Sequence, residues 1–210
     1  MGRIDKVVAA IKVAVSLDDR NIAAGFFTDG QGNNHGYTYN ISSGAYQQVT
    51  VPRFTNITAA AINHQGDIAG FGTIAGNTEA FLLVKGKATE IKYPGSSQTQ
   101  ALGLNNNDEV VGDYTVGSGN AAAMHGFTWY PGFGFHKVDS PAGAGTTTIN
   151  GVNDCGDVVG FYGDDAGNTD GLLGGATYST FLSPVRSASR DASASAAAKK
   201  RIKTKLPNGC

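Results

Sequence analysis

A chain of 210 residues with a formal net charge of −1 is long enough for one or two domains with a real core. Glycine, 30 of 210, is about twice its ordinary share, and Val, Ile, Thr, Tyr and Phe fall in short runs between Gly and Asn, the texture of an all-β protein with many tight turns. The absence of any run of eighteen apolar residues excludes a helical membrane span, and the acidic balance of residues 1–186, ten Lys/Arg against sixteen Asp/Glu, argues against nucleic acid as a partner of the body.

The first residues show no secretory signal, because Arg3, Asp5, Lys6 and Lys12 interrupt any apolar core. Ile4, Val7, Val8, Ile11 and Val15 have helical spacing, but their β-branched side chains favour a strand. A repeat decides between them. Ile4 lies thirteen residues before Leu17, as Val49 lies thirteen before Ile62 and Ile91 thirteen before Leu104, so Ile4–Val8 reads as the first copy of a recurring strand.

The repeat is a nine-residue phrase stated four times, starting at Leu17, Ile62, Leu104 and Val152, with spacings of 45, 42 and 48 residues. The third statement reads Leu104-Asn105-Asn106-Asn107-Asp108-Glu109-Val110-Val111-Gly112. It predicts a hairpin. Asp18, Asn63, Asn105 and Asn153 start the turn by bonding backbone two residues on. Asn21, Gly66, Asp108 and Gly156 are residue types that accept a left-handed backbone. The closing Gly25, Gly70, Gly112 and Gly160 permit close backbone approach or a bend. These residues are read as structural.

Each phrase joins the first two strands of a unit of four predicted strands. They cover about 12–18, 22–28, 35–41 and 45–51 in the first unit, and 57–63, 67–73, 79–84 and 88–93 in the second. They cover about 99–105, 109–115, 125–130 and 135–140 in the third, and 147–153, 157–163, 170–174 and 176–183 in the fourth. Proline follows each fourth strand (Pro52, Pro94, Pro141, Pro184) and stops the ladder. Four strands in 40–50 residues is the blade of a β-propeller, so residues 1–186 are expected to form a ring of four four-stranded blades. Residues 187–210, with six Lys/Arg and one Asp, form an Ala/Ser-rich basic tail expected to be disordered. The tail reads either as a solvated terminus or as an electrostatic anchor. Two cysteines, Cys155 and Cys210, do not make a framework, so no internal disulfide is expected; Cys210 or the tail could link copies of the chain.

The units resemble the HAF-type repeat of bacterial extracellular repeat proteins. The nine-residue phrase matches. So does a His-Ala/Gly-Phe tripeptide opening the third strand, here His35-Gly36-Tyr37 and His125-Gly126-Phe127, with departures at Glu79-Ala80-Phe81 and Asp170-Gly171-Leu172. The third match is Thr89-Glu90-Ile91-Lys92-Tyr93-Pro94-Gly95. The resemblance covers about residues 4–184 and implies an extracellular or cell-surface location in bacteria; it implies no activity.

Chemistry is sparse. There is no metalloprotease helix motif, nucleophile elbow, phosphate loop or zinc-spaced cysteine pair. The residues with ligand-binding potential are Asp29, Asn33, Asn34 and His35 in the first unit and His125, Trp129 and Tyr130 in the third. Asp164, Asp165, Asn168 and Asp170 could supply oxygens to calcium, the one candidate cofactor, although they lack the EF-hand order. The expected function is a non-catalytic binding or scaffold module that presents inter-strand loops to a glycan or protein at the cell surface. The alternatives are a glycosidase or lyase-like enzyme with acids at one end of the axis, and a self-assembling surface protein.

Overall fold

The computed structural model describes residues 11–174. The expectations for Ile4–Val8, the strand at 176–183, the tail at 187–210 and Cys210 lie outside the described residues. Among the described residues, apart from one 3-10 turn at Gly119–Ala121, every regular element is a strand. The first antiparallel meander is β1 (Ile11–Leu17), β2 (Ile22–Thr28), β3 (Asn34–Asn40) and β4 (Ala45–Gln48). The second is β5 (Thr55–Ile62), β6 (Ile68–Ile74), β7 (Asn77–Val84) and β8 (Lys87–Ile91). The third is β9 (Gln98–Leu104), β10 (Val110–Val116), β11 (Ala123–Tyr130) and β12 (Gly134–Val138). The described part of the fourth is β13 (Thr148–Val152), β14 (Val158–Gly163) and β15 (Thr169–Gly174). A parallel contact of Thr78 with Gln98 joins the second and third units into one eight-stranded sheet, and Met124 with Thr146 makes the matching bridge from the third unit to the fourth. No helix among the described residues is long and apolar enough to cross a membrane.

The hairpin phrase folds as its residue types dictate. Asn21, Gly66, Asp108 and Gly156 all take positive φ, at 63°, 87°, 62° and 76°. The side-chain oxygen two or four residues back closes each turn. Asp18 Oδ1 accepts from the Arg20 and Ile22 N–H groups at 3.0 and 2.7 Å, and Asn105 Oδ1 from Asn107 and Glu109 at 2.9 and 3.0 Å. Asn153 Oδ1 accepts from Cys155 and Asp157, and Asn63 Oδ1 from Asp67.

Asparagine does a second job that aspartate cannot, because it also carries N–H donors. Asn63 Nδ2 donates to the Asn105 carbonyl at 3.3 Å, and Asn105 Nδ2 to the Asn153 carbonyl at 2.9 Å. The His64 and Asn106 N–H groups donate to the side chains of Asn106 and Asp154, each at 2.8 Å. The turns thus stack into a hydrogen-bonded ladder from unit to unit.

The closing glycines are also explained. Each faces a register shift on the first strand of its unit. A Cβ at Gly25, Gly70, Gly112 or Gly160 would sit 2.0, 2.1, 1.8 or 2.0 Å from the carbonyl oxygen of Val13, Thr58, Gln100 or Thr148. The bulge brings backbone to backbone, and only glycine fits.

The core lies between units. Ala24 and Val49 of the first unit meet Ala59, Ile68 and Phe81 of the second. Ala69, Leu82 and Ile91 of the second meet Ala101, Val110 and Phe127 of the third. Val111 and Val138 of the third meet Ile149, Val158 and Leu172 of the fourth. Apolar burial at each junction is the main stabilising term, so no unit is expected to stand alone. Each junction is built the same way, with β5 against β1–β3, β9 against β5–β7 and β13 against β9–β11. The outer faces of the first and fourth units keep Val15, Leu17, Val159 and Phe161 exposed. The described residues therefore form an open array, and closure of four units into a ring is not seen among them. Cys155 is disulfide-bonded, contrary to the expectation of no internal disulfide.

Candidate functional site

Antiparallel meanders joined by parallel junctions put all the loops between second and third strands, and all the connectors between units, at one end of the array. The hairpin ladder occupies the other end. At the loop end, between the first and second units, lies a cleft of about 490 Å³. Asn33, Asn34 and His35 form one wall, Gln48, Val49, Thr50 and Val51 the second, and Phe54, Thr55, Asn56 and Ile57 the third. The sequence explains why the opening is here. Two residues after the closing glycine the third and fourth units carry Tyr114 and Tyr162, each 2% exposed, but the second unit carries Gly72. At that junction Phe54 lies over Gly72 and packs edge-on against Phe81 at 5.6 Å. A junction without the large ring keeps room at its mouth.

The loop behind the first wall is rigidly closed. Asp29 Oδ1 accepts from the N–H groups of Gln31 and Asn33, both at 2.9 Å, and Asp29 Oδ2 meets His35 Nε2 at 2.8 Å. His35 stacks on Phe27 with ring centroids 4.9 Å apart. The His35 hydrogen bond, and after it the Asn33 N–H, hold the Asp29 carboxyl well below the usual carboxylate range. It stays an anion that shapes the loop, and it is a poor proton donor or acceptor for catalysis. The Asp164 loop repeats this geometry: Asp164 Oδ1 accepts from Ala166 and Asn168 at 2.9 and 2.8 Å.

Asp164, Asp165, Asn168 and Asp170 do not converge on a metal site. The Asp164 carboxylate is taken up by its own turn, and Asp170 lies across from Tyr162 in the β14–β15 ladder. Among the described residues no group of three or more His, Cys, Asp or Glu could hold a metal ion. His35 and His125 belong to separate units and have separate partners, Asp29 and Asp139. Trp129 and Tyr130 are brought together with neither histidine. They end β11 at the ladder end, where Trp129 packs against the junction core and lies opposite Val110 and Phe135.

A pairing that single motifs did not reveal explains the departures from histidine. The residue opening the third strand faces the residue that follows the apolar end of the fourth. In the third unit His125 Nδ1 meets Asp139 Oδ2 at 2.8 Å, with Lys137 Nζ at 3.0 Å from the same oxygen. In the second unit Glu79 takes the histidine's place and Lys92 the aspartate's, in contact at 2.5 Å. The Glu79 hydrogen bond raises the Lys92 ammonium above its ordinary value. The charges are exchanged and the pair is kept. The signal was available in the sequence as the joint change at positions 79 and 92 against 125 and 139. Around these pairs Tyr93 stacks on Tyr114 at 3.6 Å, and burial raises the Tyr114 hydroxyl. Asp113, also missed, is a buried carboxylate whose Oδ1 has no partner.

With this geometry in hand, comparison with solved structures finds TolB from Acinetobacter baumannii similar in fold. The TM-score is 0.58 and the identity 12%, and the match covers 78% of this chain and 41% of that chain. At such identity the likeness shows fold alone, an all-β, β-propeller-like architecture. No protein-family model and no curated protein matches the sequence.

Proposed function

We propose that the chain is a non-catalytic binding module whose units are propeller blades and whose ligand is a neutral glycan held in the cleft between the first two units. The cleft carries the reading. It joins planar amides (Asn34, Gln48, Asn56), hydroxyls (Thr50, Thr55) and the Phe54 ring over an apolar floor of Val49, Val51 and Ile57. Several fixed hydrogen-bonding groups beside an aromatic surface suit a sugar, which has hydroxyls on its rim and C–H groups on its faces. A location at or outside the bacterial envelope rests on the resemblance of the repeats. Asp29, the carboxylate behind the cleft wall, is pinned by its donors and makes a poor general base.

A glycan array followed by calorimetry tests this. A neutral oligosaccharide should bind, and Gln48→Ala, exposed at the rim, should weaken it at least fivefold with no change in melting temperature. Time-dependent chain shortening would overturn the non-catalytic reading. Failure of every glycan would overturn the ligand class.

A further inference from the structure

We propose that the outer face of the fourth unit docks the outer face of the first unit of a second copy of this chain, head to tail. Inside the chain each unit offers one face to its successor. The residue before the closing glycine is the constant element of that face: Ala24, Ala69 and Val111, all 0% exposed and packed on the following unit. Its fourth-unit counterpart is Val159, which is 51% exposed, with Phe161 at 42% and Leu173 at 36% beside it on the same hairpin. The receiving face is equally uncovered at the other end. Leu17 is 58% exposed, whereas its counterpart Ile62 is 7% exposed against the first unit.

Repeat arrays that end in solvent carry polar caps on their terminal faces. Here both ends of the described array keep the apolar chemistry of an internal junction. The two faces do not cover one another within one chain, because both are exposed at once. A surface of the same kind fits these faces, and a second copy supplies it as a continuation of the junctions already built. The ladder is ready for the same step. The Asn63 and Asn105 amides donate to the next turn, while Asn153 Nδ2 has Asp157 at 2.9 Å and the next turn would be the Asp18–Asp19 turn of the second copy. Such a contact is heterologous, so repetition gives a ring or an open filament.

Sedimentation velocity of the full chain under reductant, across a concentration series, reads the outcome. Wild type should form species larger than a monomer. Leu17→Lys and Val159→Lys each block one face at an exposed position and should each sediment as monomers. Mixed in equal amounts they should form a species of twice the monomer mass, since each retains the face that the other lacks. Should either variant lose its sheet signal by circular dichroism, Val15→Lys or Phe161→Lys replaces it. A monomeric wild type throughout, variants that still assemble, or a mixture that stays monomeric would each overturn the proposal.

Discussion

At the position after the closing glycine the first, second and fourth units carry Phe26, Phe71 and Phe161, but the third carries Asp113. The residue is 3% exposed and its Oδ1 has no hydrogen-bond partner. Burial pushes its carboxyl up to about 6, from an ordinary value of 3.8. The sign of the linkage follows. Below about pH 4 both folded and unfolded chains hold the proton and Asp113 costs nothing. Between about pH 4 and 6 the unfolded chain ionises first and stability falls; above that range the loss is complete, on the order of 2–3 kcal/mol. Asp113→Asn keeps the shape and removes the charge. It should raise the urea midpoint at pH 7.5 and match wild type at pH 4. Equal midpoints at both pH values would show that the carboxylate finds solvation the structure does not contain.

At the scale of the element, the unit is defined by a bulge opposite a glycine. Gly112→Ala would place a methyl group 1.8 Å from the Gln100 carbonyl oxygen, and backbone cannot yield there without breaking the β9–β10 ladder. The substitution should cost about 3 kcal/mol or more, in the range of severe overpacking, read as a fall in the chemical denaturation midpoint. Gly171→Ala, at a strand glycine that likewise has no positive φ and has nothing within 4 Å, should cost much less, and it controls for the glycine's own conformational effect. The strands themselves were legible because turn chemistry brackets them: Asn or Asp opens each hairpin and a positive-φ residue completes it, so the expected strand at 109–115 is found at Val110–Val116. The bulge was only half legible, since a glycine signals close approach but does not say which carbonyl approaches. Of the cleft's lining the sequence singled out the loop residues Asn33, Asn34 and His35, while the other two walls run from the end of β4 through the connector into β5, where the repeat marks strand ends and not an opening. The paired charges at Glu79–Lys92 and His125–Asp139 escaped notice because each half, taken singly, is an ordinary polar substitution.

At the scale of the whole molecule, the ladder of asparagine turns decides how the units communicate. In a repeat array stability is a sum of unit and neighbour terms, so a break at one junction should be felt most by the units it separates. Asn105→Asp makes such a break with little change in shape. Its Oδ1 still accepts from Asn107 and Glu109, but the donors to the Glu109 carboxylate at 3.0 Å and the Asn153 carbonyl at 2.9 Å become an oxygen facing oxygens. The first unit shows what makes an aspartate tolerable there: Asp18 has Arg20 beside it, and Ile22 stands where the other units have an acid. A buried acceptor left facing acceptors costs about 2–3 kcal/mol, and adding Glu109→Ile should restore part of that by removing the like charge. Hydrogen exchange locates the effect. Amides of β13 and β14 should exchange faster in Asn105→Asp, while those of β1 to β3 change little. A uniform acceleration from the first unit to the fourth would mean that the array opens as one body, and that the apolar junctions, not the ladder, carry the coupling between its ends.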